Sequence, residues 1–214
     1  MDKVVFKWRL YLVTEEKLSA ENTLNIVKKA VEAGIDVIQL REKNKTKREK
    51  YNIGIKIKKI IGDRNVSFIV NDDVDLVLAL DADGVHLGNS DLPVKIARKL
   101  LGKNKIIGKS THNLKQSIKA EKDGADYIGF GSVFDTNSKK LDENRKSLGL
   151  KNLQKISKSV DIPIIAIGGI NLENIKEVIE AGANSAAVIS AITQSKNIRK
   201  KISKFNDIIQ NIKN

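Results

Sequence analysis

The sequence predicts an α/β chain folded as a single (β/α)8 TIM barrel over residues 1–214. Three observations carry this. Short β-branched runs alternate with longer amphipathic runs from end to end, the pattern of successive strand–helix units around a parallel sheet. Eight strand candidates fit into 214 residues, close to the usual size of a closed barrel with right-handed crossovers. A degenerate repeat also recurs at every second unit.

The expected strands, in order, are Leu10 to Thr14, Val37 to Arg41, Phe68 to Asn71, Gly84 to Leu87, Ile106 to Ser110, Tyr127 to Gly129, Ile164 to Ile167 and Ala186 to Ile189. Helices are expected between them. The last is the clearest, because Ile198, Ile202, Phe205, Ile208, Ile209 and Ile212 step by three or four and share one face. The second is the least regular: Ile53, Ile55 and Ile57 alternate as in a strand, and only the length and position of the run favour helix.

The repeat reads Ala33-Gly34-Ile35-Asp36, Asp81-Ala82-Asp83-Gly84, Gly124-Ala125-Asp126 and Ala181-Gly182-Ala183-Asn184. Each copy closes a helix and leads into strand two, four, six or eight, with small residues permitting the reversal toward the sheet. Pro93 and Pro163 sit at element starts, where a missing amide proton costs little.

Composition bounds the function. The chain has no cysteine, which removes disulfides, thiol nucleophiles and cysteine-held zinc. Charges break the amino-terminal apolar residues before a signal core forms, and no stretch approaches membrane-spanning length, so a cytoplasmic protein without a membrane partner is expected. The formal charge of +13 points toward phosphate-bearing partners. Aromatics are only 4%, and lysines such as Lys115, Lys119 and Lys122 lie on solvent faces, which disfavours nucleic acid. Small phosphorylated substrates remain. Homo-oligomers are common among barrels of this size, but the sequence shows no diagnostic patch.

Catalytic groups of such barrels come from the carboxyl ends of strands. Gln39 and Arg41 fall on one side of strand two with Lys43 just beyond, a set able to hold a diphosphate. The competing reading is a solvated cationic run continuing through Lys45, Lys47 and Arg48. Asp72 and Asp91 follow neighbouring strands and together suit a magnesium ion, which takes one or two carboxylates plus substrate oxygens. Taken singly, each reads more readily as a helix cap; paired around phosphate binders, metal ligation is the better reading. Asn71, Ser110 and His112 end strands three and five, and Thr136, Asn137, Ser138, Lys139 and Lys140 follow strand six. Gly168-Gly169, with Ile189-Ser190 after strand eight, forms the phosphate cradle expected there. His86 is expected inside strand four as a satisfied interior histidine, and His112 in a supporting role.

Taken in order, Gln39-Leu40-Arg41-Glu42-Lys43, Asn71-Asp72, Gly84-Val85-His86-Leu87-Gly88 with Asp91-Leu92-Pro93, Ile107-Gly108 with Ser110-Thr111-His112, Gly124 to Gly129, and Ile167-Gly168-Gly169-Ile170 resemble the thiamine phosphate synthase family from strand one to the final helix. That family joins hydroxymethylpyrimidine diphosphate to a thiazole monophosphate and releases pyrophosphate. The resemblance implies that Gln39, Arg41, Lys43, Asn71, Ser110 and Lys139 hold the pyrimidine diphosphate, with Arg41, Lys43 and Lys139 assisting catalysis. It implies Mg2+ on Asp72 and Asp91, and the thiazole phosphate at Thr136, Asn137, Ser138, Gly168, Gly169, Ile189 and Ser190. It further implies a dissociative route in which pyrophosphate leaves before the thiazole nitrogen attacks, so that no protein nucleophile is needed.

The chain departs from the family pattern at Ser132 and Asp135, where prolines are usual, and at Asp73, Asn89 and Leu141. A looser loop after strand six and a negative charge beside an anionic ligand are the expected consequences. Two rivals stay open: a thiazole tautomerase on the same barrel, and a non-catalytic barrel that binds phosphate or nucleic acid. Retention of the cations and the acid pair speaks against the first.

Overall fold

The computed structural model describes residues 7–135 and 147–213. Eight parallel strands close into a barrel in sequence order: β1 Leu10–Val13, β2 Val37–Leu40, β3 Ser67–Asn71, β4 Gly84–Leu87, β5 Ile106–Thr111, β6 Tyr127–Phe130, β7 Ile164–Ile167 and β8 Ser185–Val188. β1 pairs with both β2 and β8, which closes the ring. Strand ends differ from the sequence reading by one residue in several places, the ordinary uncertainty of an element terminus.

The helices are α1 Thr23–Glu32, α2 Lys47–Ile61, α3 Val74–Leu80, α4 Val94–Leu101, α5 Leu114–Lys122, α6 Gly149–Ser157, α7 Ile175–Glu180, α8 Ser190–Thr193 and α9 Ile198–Lys213. The α2 segment is helical despite its alternating isoleucines. Its inward face is Gly54, Ile57 and Ile61, and a side chain at Gly54 would meet Leu80 of α3 at 2.4 Å. In α9, Ile198, Ile202, Phe205 and Ile209 are buried, with Ile208 and Ile212 packed at the edge of the core. No helix among the described residues is long and apolar enough to cross a membrane.

Alternation along the strands divides the core in two. Leu12, Ile38, Leu40, Val70, Val85 and Ile128 face outward and pack with helix residues. Tyr11, Val13, Val37, Ile69, Tyr127, Ile165 and Ala187 fill the interior, plugged at the amino-terminal end by Trp8. Trp8 meets Tyr11 and Tyr127 edge to face at 5.7 and 5.5 Å, and its indole N–H donates to Ser67 Oγ at 3.1 Å. Among the described residues the barrel is therefore filled at its lower end and open at the carboxyl ends of its strands.

The sequence repeat has a structural reason beyond turning the chain. Asp36 Oδ2 accepts from the amides of Arg9 and Leu10, each at 3.0 Å, at the start of β1. Asp83 does the same for Phe68 N on β3 at 2.6 Å, Asp126 for Ile107 N on β5 at 2.8 Å, and Asn184 for Ile164 N on β7 at 2.9 Å. An acceptor leading into each even strand thus ties down the preceding odd strand. These amides at the barrel's lower rim would otherwise compete for water.

Candidate active site

The open end of the barrel is a cavity of about 1130 Å³. Gln39, Arg41 and Lys43 reach it from β2 and its loop, Asn71 and Asp72 from β3, Asp91 from the β4–α4 loop, and Ser110 from β5. Gly168, Gly169, Ile189 and Ser190 line the opposite part of its wall, after β7 and β8. The strand ends thus bring every described residue of the expected site to one cavity. Thr136, Asn137, Ser138 and Lys139, together with Leu141, lie outside the described residues.

The cationic run after β2 divides. Lys43 lines the cavity, whereas Lys45 pairs with Glu16 at 2.6 Å and Lys47 pairs with Asp75 at 2.9 Å. Surface pairing of this kind is the solvated reading, and it holds from Lys45 onward. The start of α2 is closed by a capping box in which Thr46 and Glu49 satisfy each other's backbone amides.

Arg41 does not stand alone. Its guanidinium pairs with Glu15, and both side chains are mostly buried, at 12% and 8% exposure. Burial holds the Glu15 carboxyl above its ordinary value, and the opposing charge of Arg41 offsets only part of that rise. Thr14 Oγ1 accepts from Arg41 N at 3.0 Å, so the residue after β1 fixes the backbone from which the Arg41 side chain projects. Beside them, buried Glu42 accepts from Thr23 Oγ1 at 2.6 Å and Glu16 N at 2.9 Å, pinning the loop.

Neither acid caps a helix. Asp73 and Pro93 occupy the cap positions of α3 and α4, without a side-chain cap bond. Asp72 has φ 63°, a left-handed conformation that aspartate tolerates better than most residues. Asp91 folds back so that Oδ2 accepts from Gly88 N at 2.6 Å, and a Cβ at Gly88 would sit 2.9 Å from that oxygen. The carbonyl of Gly88 accepts from Lys109 Nζ at 2.5 Å, which holds the loop from below. Asp72 and Asp91 share a hydrogen bond between their carboxyls. Burial, then this bond and the charge of Asp91, push Asp72 up to about 6, while Lys43 and Arg41 pull in the other direction.

Gly168 and Gly169 have φ 103° and 66°. Added Cβ atoms would collide with Ser132 Oγ at 1.9 Å and with Asp135 O at 2.6 Å, so the loop after β6 packs directly on the glycine pair. The carbonyl of Gly168 accepts from Phe134 N at 3.1 Å and that of Gly169 from Asn174 Nδ2 at 3.0 Å. In a trans peptide the next amide points the opposite way, so the N–H groups of Gly169 and Ile170 turn from those partners. Of the departures from the family pattern, Ser132 fills space beside Gly168 and its hydroxyl donates to Phe134 O at 2.8 Å. Asp73 is neutralised by Lys50 at 2.8 Å, and Asn89 and Asp135 line the cavity.

Both histidines line the cavity. His86 stacks on Tyr127 at 5.5 Å, with Nδ1 3.0 Å from the Tyr127 hydroxyl and Nε2 2.9 Å from Ser110 Oγ. His112 Nδ1 lies 2.8 Å from Gly131 O, consistent with a supporting role. Sequence reasoning passes over Glu15, Lys109, Tyr11 and Tyr127. Glu15 was within reach, since it lies two residues past the end of β1, where the strand-end rule looks for chemistry.

Residues 10–192 match a family model described as thiamine monophosphate synthase. A thiamine-phosphate synthase of Methanosarcina mazei is 47% identical over 203 residues, covering 95% of this chain and 83% of the relative. One of Methanobrevibacter smithii is 46% identical over 188 residues, 88% of each chain. The solved structure of thiamine phosphate pyrophosphorylase from Pyrococcus furiosus superposes with a TM-score of 0.89 at 39% identity, covering 98% of this chain and 99% of that one. With a matched region running from the first strand through α8, and relatives this similar over nearly the whole length, the chain belongs to the thiamine monophosphate synthase family.

Proposed function

We propose that this protein is a thiamine phosphate synthase, joining hydroxymethylpyrimidine diphosphate to thiazole monophosphate and releasing pyrophosphate. The observation that carries the reading is the division of one cavity into a cationic and acidic half, Arg41, Lys43, Asp72 and Asp91, and a half lined by Gly168, Gly169, Ile189 and Ser190. A diphosphate suits the first and a monophosphate the second. An isomerase acting on the thiazole alone would have no use for the first half.

In this reading Gln39, Asn71 and Ser110 hold the pyrimidine. Arg41, fixed by Glu15, and Lys43 meet the diphosphate as it gathers negative charge. The carbon–oxygen bond to the diphosphate breaks with its electron pair leaving on oxygen, and the aminopyrimidine ring spreads the resulting positive charge. The lone pair of the thiazole nitrogen then forms the carbon–nitrogen bond. Groups already in place for the developing charge lower the barrier without reorganisation. Thr136, Asn137, Ser138 and Lys139 belong to the same proposal.

Asp72 and Asp91 fit a magnesium ion. They are apposed carboxylates whose repulsion a cation would relieve, and no larger group of His, Asp or Glu gathers among the described residues. Two carboxylates leave coordination positions for substrate oxygens, as this metal prefers. When bound, the ion would neutralise charge on the leaving diphosphate.

The test is to incubate the purified protein with both substrates and magnesium and to follow thiamine phosphate and pyrophosphate together. Equal amounts of the two are expected. Folded protein that yields neither defeats the reading.

A further inference from the structure

Five side chains from five strands form an unbroken hydrogen-bond chain along the floor of the cavity. Gln39 Nε2 on β2 donates to the Tyr11 hydroxyl on β1 at 2.8 Å, and the Tyr11 and Tyr127 hydroxyls lie 3.0 Å apart. From Tyr127 on β6 the chain continues to His86 Nδ1 on β4 at 3.0 Å, and from His86 Nε2 to Ser110 Oγ on β5 at 2.9 Å. All five line the cavity, and the two ends, Gln39 and Ser110, belong to the proposed pyrimidine site.

The barrel is built to admit this chain. A Cβ at Gly108 would stand 2.0 Å from Tyr127 Cζ, and one at Gly129 would stand 2.7 Å from the His86 ring. Both positions face inward on their strands, so glycine there makes room for the two rings. Tyr11 and Tyr127 are almost wholly buried, so each hydroxyl hydrogen must find its acceptor within the chain.

Direction then follows from counting hydrogens. Each tyrosine hydroxyl and a neutral imidazole carries one hydrogen between two neighbours, so each donates to one and accepts from the other. Reversing a single link sets two hydrogens face to face or leaves a buried one without an acceptor, which is costly. The five groups therefore reverse only together. Because Gln39 Nε2 donates to Tyr11, the order runs Gln39 to Tyr11 to Tyr127 to His86 to Ser110. Gln39 then offers its carbonyl oxygen to the cavity, and Ser110 offers its hydroxyl hydrogen.

We propose that Tyr11, Tyr127 and His86 are positioning residues that lock this polarity and so make the pyrimidine site selective for a ring bearing an amino group. The amino group donates to Gln39 Oε1, and the Ser110 hydroxyl donates to a ring nitrogen or a phosphate oxygen. A ring with a carbonyl in place of the amino group meets an acceptor with an acceptor, and its binding requires reversal of the whole chain. The ligand rests on the function proposed above; the polarity does not.

Two measurements test this. The chain has two histidines, and 15N spectra of the ligand-free protein, assigned with His112→Gln, should show His86 as the neutral Nε2–H tautomer. The Nδ1–H tautomer, an averaged mixture or a doubly protonated ring overturns the proposed order. Calorimetric binding should then favour the aminopyrimidine diphosphate over its 4-oxo analogue by about a hundredfold or more in the native protein. Tyr127→Phe cuts the chain while keeping the ring, and should lower that preference at least about tenfold with thiazole phosphate binding unchanged. An undiminished preference in a variant that melts like the native protein overturns the selectivity claim. Native protein that binds neither pyrimidine sinks the ligand reading and the selectivity with it, while the His86 spectrum still decides the order of the chain.

Discussion

Asp72 and Asp91, brought from the ends of β3 and β4, hydrogen-bond through their carboxyl groups, and Asp72 is pushed up to about 6 by burial and by its partner. A carboxyl raised on folding contributes stability below its unfolded value, near 3.8, and loses that contribution as pH rises through about 6. Without a divalent cation, Asp72→Asn should therefore melt higher than the native protein at pH 7.5 and show a smaller advantage at pH 4. Each kcal/mol corresponds to about 2–4 °C for a chain of this size. Magnesium should raise the native melting temperature at pH 7.5, do so less at pH 5, and leave the variant unmoved. Calorimetric scans at the two pH values check this, and an equal response at both would remove the acid pair as the cation site.

Charge at the diphosphate end should govern turnover. Lys43→Ala and Asp72→Ala are each expected to lower kcat by on the order of a hundredfold or more, as for loss of a group that stabilises charge in the transition state. Steady-state rates with both substrates saturating decide it. Near-native rates would take these residues out of the mechanism.

Glu15 is expected to matter through Arg41. Both side chains are mostly buried, so Glu15→Ala leaves a guanidinium without its countercharge and should cost about 3 kcal/mol in urea unfolding. Glu15→Gln keeps the shape and a hydrogen-bond acceptor, and should recover part of that loss. Because a freed Arg41 no longer holds one orientation, both variants should raise KM for the pyrimidine diphosphate more than for the thiazole phosphate. Equal changes in the two KM values would argue that the pair only supports the fold.

The lower rim makes the opposite prediction. Asp126 accepts from Ile107 N at 2.8 Å and pairs with Arg98 at 2.5 Å, at the end of the barrel away from the cavity. Asp126→Ala should destabilise by about 2–4 kcal/mol while KM for both substrates stays native. Denaturant titration and steady-state kinetics together check it, and a large kinetic effect with unchanged stability would contradict the assignment.

The barrel and the candidate-site residues at its strand ends were legible because both follow local rules. Strand runs, helix period and the strand-end rule act on neighbouring residues, so Gln39, Arg41, Asp72 and Gly169 declare themselves. What stayed hidden depends on register across the barrel. Asp36, Asp83, Asp126 and Asn184 read as ends of turns, because the amides they satisfy belong to other strands. Tyr11 and Tyr127 read as core, which they are, and only closure of the sheet brings their hydroxyls together. The capping alternative for Asp72 was decided by a left-handed backbone that composition does not announce. At α2, strand-like alternation was overruled by the close packing of Gly54 against Leu80.

The division of a single cavity between two phosphate groups is most directly tested by a crystal structure grown with magnesium, pyrophosphate and thiamine monophosphate. Pyrophosphate should lie among Arg41, Lys43 and the metal held by Asp72 and Asp91, with the phosphate of the organic product against Gly168, Gly169 and Ser190. Both phosphates in one half, or either bound away from the strand ends, would contradict the account.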